Sequence, residues 1–330
     1  MNTQKTLIFN RSSFASLMTM QDYIDAVEMG HRLHAQGQCM ATNLVHADAP
    51  HGEYHIKTGG LLGEKSYYGL KANGGFFQNK NRYSLPNILG IIYLTDAQNA
   101  YPLAIFESVL ISKMRTAAAT AVAAKHLAPK GEIRLSVIGY GNQAEAQIEA
   151  LNCVCNIASV CISGRDPSKA KTMVQKMNAR YDFPVQYTEM EKACRQANVL
   201  ITCTPSTAFF VYKKWIQKGT FIAAVGADSP GKNELEPTLF KQAKIVGDIL
   251  GQIVRVGEVQ RAIKHGIIEE DNIHGELGAL VTGQIEGRTC SDEITIYDST
   301  GTAIQDIVCA AYIYEKLKNT KAATTVDLFN

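Results

Sequence analysis

The sequence predicts an α/β protein built in two parts, and three observations carry that expectation. Beyond Pro129 the chain alternates short apolar, β-branched runs with helical segments, the pattern of a parallel sheet wrapped by helices. One strand-to-helix turn in that region, Gly139 to Ala144, is glycine-rich. Before Pro129 the elements are mixed, with several strand-like runs leading into one long alanine-rich helix.

The bulk properties fit this division. A chain of 330 residues is too long for one ordinary core and suits two domains. It is 46% hydrophobic and 19% charged, an ordinary globular balance. A net charge of +2 makes no electrostatic case for nucleic acid or an anionic membrane surface. No apolar run approaches the roughly 18 residues that span a bilayer. The N-terminal apolar core, "LIF", is too short for a secretory signal. The closest pair of the eight cysteines, Cys153 and Cys155, is C-x-C rather than C-x-x-C. No metal-ligand set stands out, and reduced thiols in a cytoplasmic protein are the expectation.

Taken in order, Thr19-Met-Gln-Asp22 reads as a capping box opening a helix through "YIDAVEMGHRLHAQ" that stops at Gly37. Strand-like runs follow in "GEYHIKTGGLL", "YYGLKANGG", "NILGIIYLT" and "YPLAIFESV", the last two flanking a hairpin turn at "DAQNA". From Ser108, "SVLISKMRTAAATAVAAKHLAP" is a helix whose small side chains allow close packing in an interior or at a subunit contact. The strands after Pro129 are "IRLSVI", "ASVCIS", "NVLITC", "TFIAAV" and "AKIVGD", and "GTAIQDIVCAAYIYEKLK" closes the chain as an amphipathic helix.

The loop "VIGYGNQAEAQIEAL" gives Gly139-x-Gly141-x-x-Ala144 between a strand and a helix. The first glycine permits a tight turn, the second lets the backbone approach a pyrophosphate, and Ala144 allows close helix–strand packing. The diphosphate then sits on a helix N-terminus. This is a dinucleotide site of Rossmann type. The ribose-reading position lies about 20 residues on. There Gly164 stands where a carboxylate is usual, followed by Arg165, with Ser163, Ser168 and Lys169 nearby. Without the acid a 2′-phosphate is not repelled, which favours NADP(H) over NAD(H). The other reading leaves Arg165 in solvent and gives the ribose to Asp166.

"GADSPGKN" imitates a P-loop but has Asn233 where a magnesium-binding hydroxyl belongs. Its Asp228 lies just past a strand end, where ligands collect, and it would repel phosphate. It is a candidate for holding an amine or relaying protons, or else it caps its own turn. Thr204 and Ser206 end their strand similarly and are expected near a cofactor. Lys71 lies among strand residues and glycines; in a cleft it serves as acid/base or carboxylate ligand, and otherwise it is a solvated edge residue. Arg115 is embedded in the small, apolar helical stretch and needs an anionic partner, for which its fork suits a carboxylate.

Together "GLKANGG", "LPNILGIIYL", "YPLAIFES", "KMRTAAATAVAAKHLA", "VIGYGNQAEAQIEAL", "AVGADSPGKNEL" and "DEITIYDSTGTAIQD" resemble the ornithine cyclodeaminase/mu-crystallin family over nearly the whole chain. That family also holds archaeal-type alanine dehydrogenases and ketimine reductases. The resemblance implies a homodimer with a discontinuous α+β substrate-binding and dimerisation domain, residues 1–121 with 305–330, around a Rossmann domain at 122–304. By motif Lys71 matches the lysine beside the reacting carbon and Arg115 the carboxylate-binding arginine. Asp228 matches the active-site aspartate of the catalytic branches. Where many members place a further carboxylate-binding arginine, this chain has His55, with Lys57 two residues on and on the same strand face. The cofactor set is Gly139, Gly141, Asn142, Gln143 and Ala144, with Thr116 beside Arg115, Gly164, Arg165, Ser168 and Lys169 at the ribose end, and Thr204 and Ser206. The implied reaction is hydride exchange between an amino or imino acid Cα and nicotinamide C4. The alternatives are ornithine cyclodeamination, which recycles its own NAD, and a mu-crystallin-like NADPH-binding protein without turnover.

Overall fold

The computed structural model describes residues 5–329. The chain divides into two compact units, one running to Arg115 and resuming at Thr302, the other Thr116–Gly301.

The first unit is built on a seven-stranded sheet. Its strands are β1 (Thr6–Phe9), β2 (Cys39–Ala49), β3 (Gly52–Leu61), β4 (Tyr67–Gly75), β5 (Ile88–Asp96), β6 (Pro102–Glu107) and a C-terminal strand Thr324–Val326. The order is C-terminal strand–β1–β6–β5–β4–β3–β2. All pairs are antiparallel except β1 with β6. The hairpin at "DAQNA" joins β5 to β6 as expected. β1 and β2 are additions to the sequence reading. β2 is the last strand of the sheet and mostly exposed, so no buried face imposes the alternation that would reveal it.

The helix Met20–Ala35 starts at the expected capping box: Asp22 N donates to Thr19 Oγ1 at 3.2 Å, and Thr19 N to Asp22 Oδ2 at 2.8 Å. It ends before Gly37, whose φ of +71° glycine adopts without cost. The helix Ala303–Leu317 opens on a second capping box, Thr302 with Gln305, and packs on one face of the sheet and on the first helix. Glycine makes the approach possible, since a Cβ on Gly69 would lie 2.7 Å from Ile307 Cδ1. The long helix expected from Ser108 is present as Ser108–Leu127.

The second unit holds eight strands: β7 (Glu132–Ile138), β8 (Asn156–Ser163), β9 (Val185–Tyr187), β10 (Val199–Thr202), β11 (Phe221–Ala224), β12 (Ala243–Gly247), β13 (Gly275–Glu276) and β14 (Ile294–Asp298). All are parallel, in the order β13–β12–β14–β11–β10–β7–β8–β9. The chain winds outward from β7 to β9, then restarts beside β7 with β10. That reversal is the topological switch point at which α/β sheets bind ligands, so this is a Rossmann-type sheet. β9 and β13, of three and two residues, are too short to carry a periodic signal. β14 is wholly buried and central, yet it ends in a buried acid that masks it.

No described helix is long and apolar enough to cross a membrane. All eight cysteines are free thiols.

Candidate active site

The first unit gathers buried charge on the covered face of its sheet. Lys57 on β3 stands directly opposite Lys71 on β4, and Lys71 opposite Ile92 on β5. Cross-strand partners share a face, so both lysines point toward the helix Ala303–Leu317. That helix contributes Asp306 in its first turn, where the positive end of the helix dipole favours a carboxylate. Arg115 comes from the helix Ser108–Leu127. Lys57, Lys71 and Arg115 are each at most 6% exposed, and Asp306 is fully buried.

One carboxylate organises the group. Asp306 Oδ2 lies 2.6 Å from Lys71 Nζ, and its Oδ1 accepts from Arg115 Nε at 2.9 Å. Arg115 Nη1 donates to Gln305 Oε1 at 2.9 Å, and Lys71 Nζ donates to Ser112 Oγ at 3.2 Å. With its oxygen turned to the arginine, Gln305 presents its Nε2 to His31 Nε2, 3.1 Å away. His31 is fully buried, so the chain His31–Gln305–Arg115 fixes the guanidinium from behind. These contacts leave the Nη2 edge of Arg115 outside both of its bonds.

The electrostatics follow from burial and from the closeness of these charges. Burial presses the Lys71 ammonium down to about 7; Asp306 opposes that, while Arg115 and Lys57 add to it. Burial also works against the Asp306 carboxylate, but Arg115, Lys71 and Lys57 outweigh it and hold the group below the ordinary range. A lysine that exchanges its proton near neutrality is suited to acid/base work.

The structure thus brings together Lys57, Lys71 and Arg115. His55 shares their face two residues along β3, but its Nε2 faces Glu53 Oε1 at 3.2 Å. Asp306, Gln305 and His31 were not expected from sequence. A usable signal was there: "AIQDIV" sets two polar residues inside an apolar helix, and Gln305 completes a capping box.

The second unit carries the other candidates. Gly139 has φ +135°, and a Cβ there would lie 2.7 Å from Cys203 Sγ, so the turn itself demands glycine. A Cβ at Gly141 would meet no protein atom within 4 Å. Glycine there is not required by the protein's own packing, and the turn stays open to close approach from outside. The helix Asn142–Val154 begins with no side-chain cap on its N-terminal amides, and Ala144 is fully buried against the sheet. Asn142 and Gln143 form its first turn. Thr116 is the first residue of the unit and is buried.

At the end of β8, a Cβ on Gly164 would lie 2.5 Å from the Tyr140 ring. The absence of an acid at 164 therefore has a packing cause. Arg165, Ser168 and Lys169 are exposed, and the Asp166 carboxylate caps the next helix by accepting from Ser168 N and Lys169 N at 3.0 and 3.2 Å. Thr204 N and Oγ1 both donate to Glu234 Oε1 at 2.7 Å, and Ser206 Oγ donates to Ala208 O at 2.6 Å. Asp228 is exposed beyond β11 and ion-paired with Lys232.

The P-loop imitation dissolves on inspection. Gly226 N donates to Glu234 Oε2 at 2.9 Å, Asn233 Nδ2 donates to the buried Glu258 at 2.8 Å, and no helix opens directly after the loop. An amide already given to a carboxylate does not cradle a phosphate.

Comparison with known proteins agrees with this fold. An archaeal alanine dehydrogenase dimer with bound NAD is 34% identical and superposes with a TM-score of 0.94, covering 99% of this chain and 100% of that one. The Δ1-pyrroline-2-carboxylate reductase of Thermococcus litoralis, solved with NADH and L-proline, is 29% identical with a TM-score of 0.92, covering 97% and 100%. The iminosuccinate reductase of Paracoccus denitrificans with NAD⁺ is 31% identical with a TM-score of 0.90, covering 98% and 100%. The sequence profile of one family matches residues 4–321, almost the full length over which the two units and their charged site are built. By that match the chain belongs to the ornithine cyclodeaminase/mu-crystallin family.

Proposed function

We propose that this chain is an NAD(P)H-dependent oxidoreductase that interconverts a small α-amino acid and its imine. One observation carries the reading: buried Lys71 and Arg115 share the carboxylate of Asp306, with buried Lys57 directly across from Lys71, and Nη2 of Arg115 stands outside its bonds to Asp306 and Gln305. A guanidinium held in place by a buried carboxylate and presenting a further N–H edge suits the α-carboxylate of a substrate. Three solved relatives, an alanine dehydrogenase and two imine reductases, carry NAD, NADH or NAD⁺.

In this reading the nicotinamide supplies or accepts hydride at its C4. Arg115, aimed by Asp306 and Gln305, binds the carboxylate through its remaining edge, with Lys57 beside it. Lys71 holds or moves the proton at the reacting carbon's substituent, its affinity set near neutrality by burial. Asp306 is a positioning residue that orders both cations. Asp228 is the acidic group assigned to the amine. Gly139, Gly141, Asn142, Gln143 and Ala144 hold the pyrophosphate at the helix N-terminus, with Thr116, Thr204 and Ser206 as neighbours. Arg165, flanked by Ser168 and Lys169, meets the adenosine ribose beside Gly164.

The finer reading, preference for NADPH, rests on Arg165 and the missing carboxylate. Replacing Arg165 by Ala is then expected to weaken NADPH more than NADH; equal losses remove the phosphate-reading role.

A homodimer is proposed on the sheet's other face. Val45 and Ile91 on one cross-strand row of that face, and Tyr54 and Leu89 on the next, are each at least 42% exposed. A contiguous apolar sheet face of this kind is suited to a second copy.

The experiment is a turnover screen of α-imino acids, keto acids with ammonia, and diamino acids, with each cofactor. Oxidation of NADH or NADPH by an imino acid is the expected result. Proline and ammonia from ornithine with catalytic NAD⁺ would instead make it a cyclodeaminase, and cofactor binding without turnover would make it a binding protein.

A further inference from the structure

The geometry points to a divalent transition-metal site on the β2–β3 hairpin, formed by His46, Glu53 and His55 and suited to zinc. It rests on residues of the first unit alone and stands apart from the oxidoreductase reading.

The hairpin register assembles the site. His46 pairs directly with His55 across β2 and β3, so both imidazoles leave the sheet on one face. Their ring centroids are 4.7 Å apart and their planes nearly perpendicular, at 80°. Glu53, two residues before His55, projects to that same face. Its Oε1 lies 3.2 Å from His55 Nε2, and its Oε2 lies 3.5 Å from His46 Nε2. All three ligand atoms fall within 4.8 Å of one another.

Those separations suit coordination. A tetrahedral zinc ion binds imidazole and carboxylate at about 2.0–2.2 Å, which sets ligand atoms about 3.3–3.5 Å apart. Each imidazole already lies at about that distance from one oxygen of Glu53, His55 from Oε1 and His46 from Oε2. Two imidazoles and a carboxylate form a borderline donor set that favours zinc, cobalt or nickel over magnesium or calcium. Asp48 Oδ1, 3.3 Å from the same His46 Nε2, is placed to complete the sphere. Three protein ligands with water in the fourth place is the other arrangement such an ion adopts.

The location gives the ion a task. β2 is the sheet's outermost strand and its pairing with β3 shifts between Met40 and Asn43. A tether joining His46 to His55 pins the register beyond that irregularity. It also engages His55, which lies next to Lys57 on the face that bears the cationic cluster. In sequence the ligands read H-x₆-E-x-H, which matches no metal spacing until the turn folds the strands together.

The test uses the full-length chain without an affinity tag, stripped of metal. Cobalt(II) titration followed by visible absorption, and zinc competition against a chromophoric chelator, are expected to give one equivalent per chain. Thermal melting of the wild type is expected to rise with zinc. His46→Gln and Glu53→Gln, checked for folding by circular dichroism, are each expected to weaken zinc by at least about 100-fold, the upper range for losing even an outer-shell partner, and to abolish the thermal shift. A wild type that binds no zinc, or binding that survives both substitutions, overturns the site.

Discussion

Both units bury several ionisable groups, and they treat them oppositely. In the second unit Glu234, Asp248, Glu258 and Asp298 are fully buried, and each is satisfied by the main chain. Glu234 accepts from Thr204 N and Gly226 N, and Asp248 from Thr300 N and Gly301 N. Glu258 accepts from Glu234 N and Leu235 N, and Asp298 from Glu258 N and Val259 N. These carboxylates tie together the loops at the strand ends of the parallel sheet. In the first unit the buried cations lean on one another's single counter-ion and on side chains, as described for Lys71, Arg115 and Asp306. Buried carboxyl groups closed off by backbone donors are scaffold. Buried charge held side chain to side chain, with a guanidinium edge left over, is suited to a ligand.

The largest effect that would break this contrast is catalytic. Lys71→Met is expected to lower kcat by about 10²–10⁴-fold, the contribution of a positioned acid/base group. In the wild type, imine reduction needs the protonated lysine, so kcat/KM should fall as pH rises through about 7 and that limb should vanish in the variant. A Lys71→Met enzyme with wild-type kcat would return Lys71 to the scaffold class. Arg115→Met comes next. Loss of a charged hydrogen bond to a carboxylate costs about 1.5–3 kcal/mol, so KM for the acid should rise by about 10–150-fold. An unchanged KM would mean that Asp306 and Gln305 are the only partners Arg115 serves.

Much of this site was legible before any coordinates, and what was missed has identifiable causes. Arg115 announced itself as the one arginine in an alanine-rich helix, and Lys71 as a charge among strand residues and glycines. Their meeting depends on Asp306, about 190 residues from Arg115, and no local pattern reports a contact of that range. The Rossmann strands that showed themselves are four to eight residues long and mostly apolar; β9 and β13, of three and two residues, were too short to do so. Gly164 teaches a subtler lesson. Read as a missing acid it spoke of cofactor choice, yet the Tyr140 ring against it supplies a packing reason that sequence spacing does not reveal.

The smallest effect tests the scaffold side of the contrast. Burial, with the neighbouring Glu234 and Asp298 charges, pushes Glu258 up to about 8, while donation from Leu235 N and Asn233 Nδ2 restrains it. An unfolded glutamate titrates near 4.3. Between about 4.3 and 8 the folded chain therefore holds more protons than the unfolded one, and stability from this group falls as pH rises through that window. Glu258→Gln removes the titration, so its melting temperature should vary less than wild type between pH 5.5 and 8.5. The new amide must also place its NH₂ against an N–H donor, Glu234 N at the Oε1 position being the single-donor side. That mismatch should cost about 1–3 kcal/mol at every pH. Turnover per folded molecule should stay at the wild-type value, because Glu258 holds loops rather than substrate. A variant whose melting follows the wild-type pH slope would sink the titration argument, and one that folds well but loses kcat would move this carboxylate from scaffold to site.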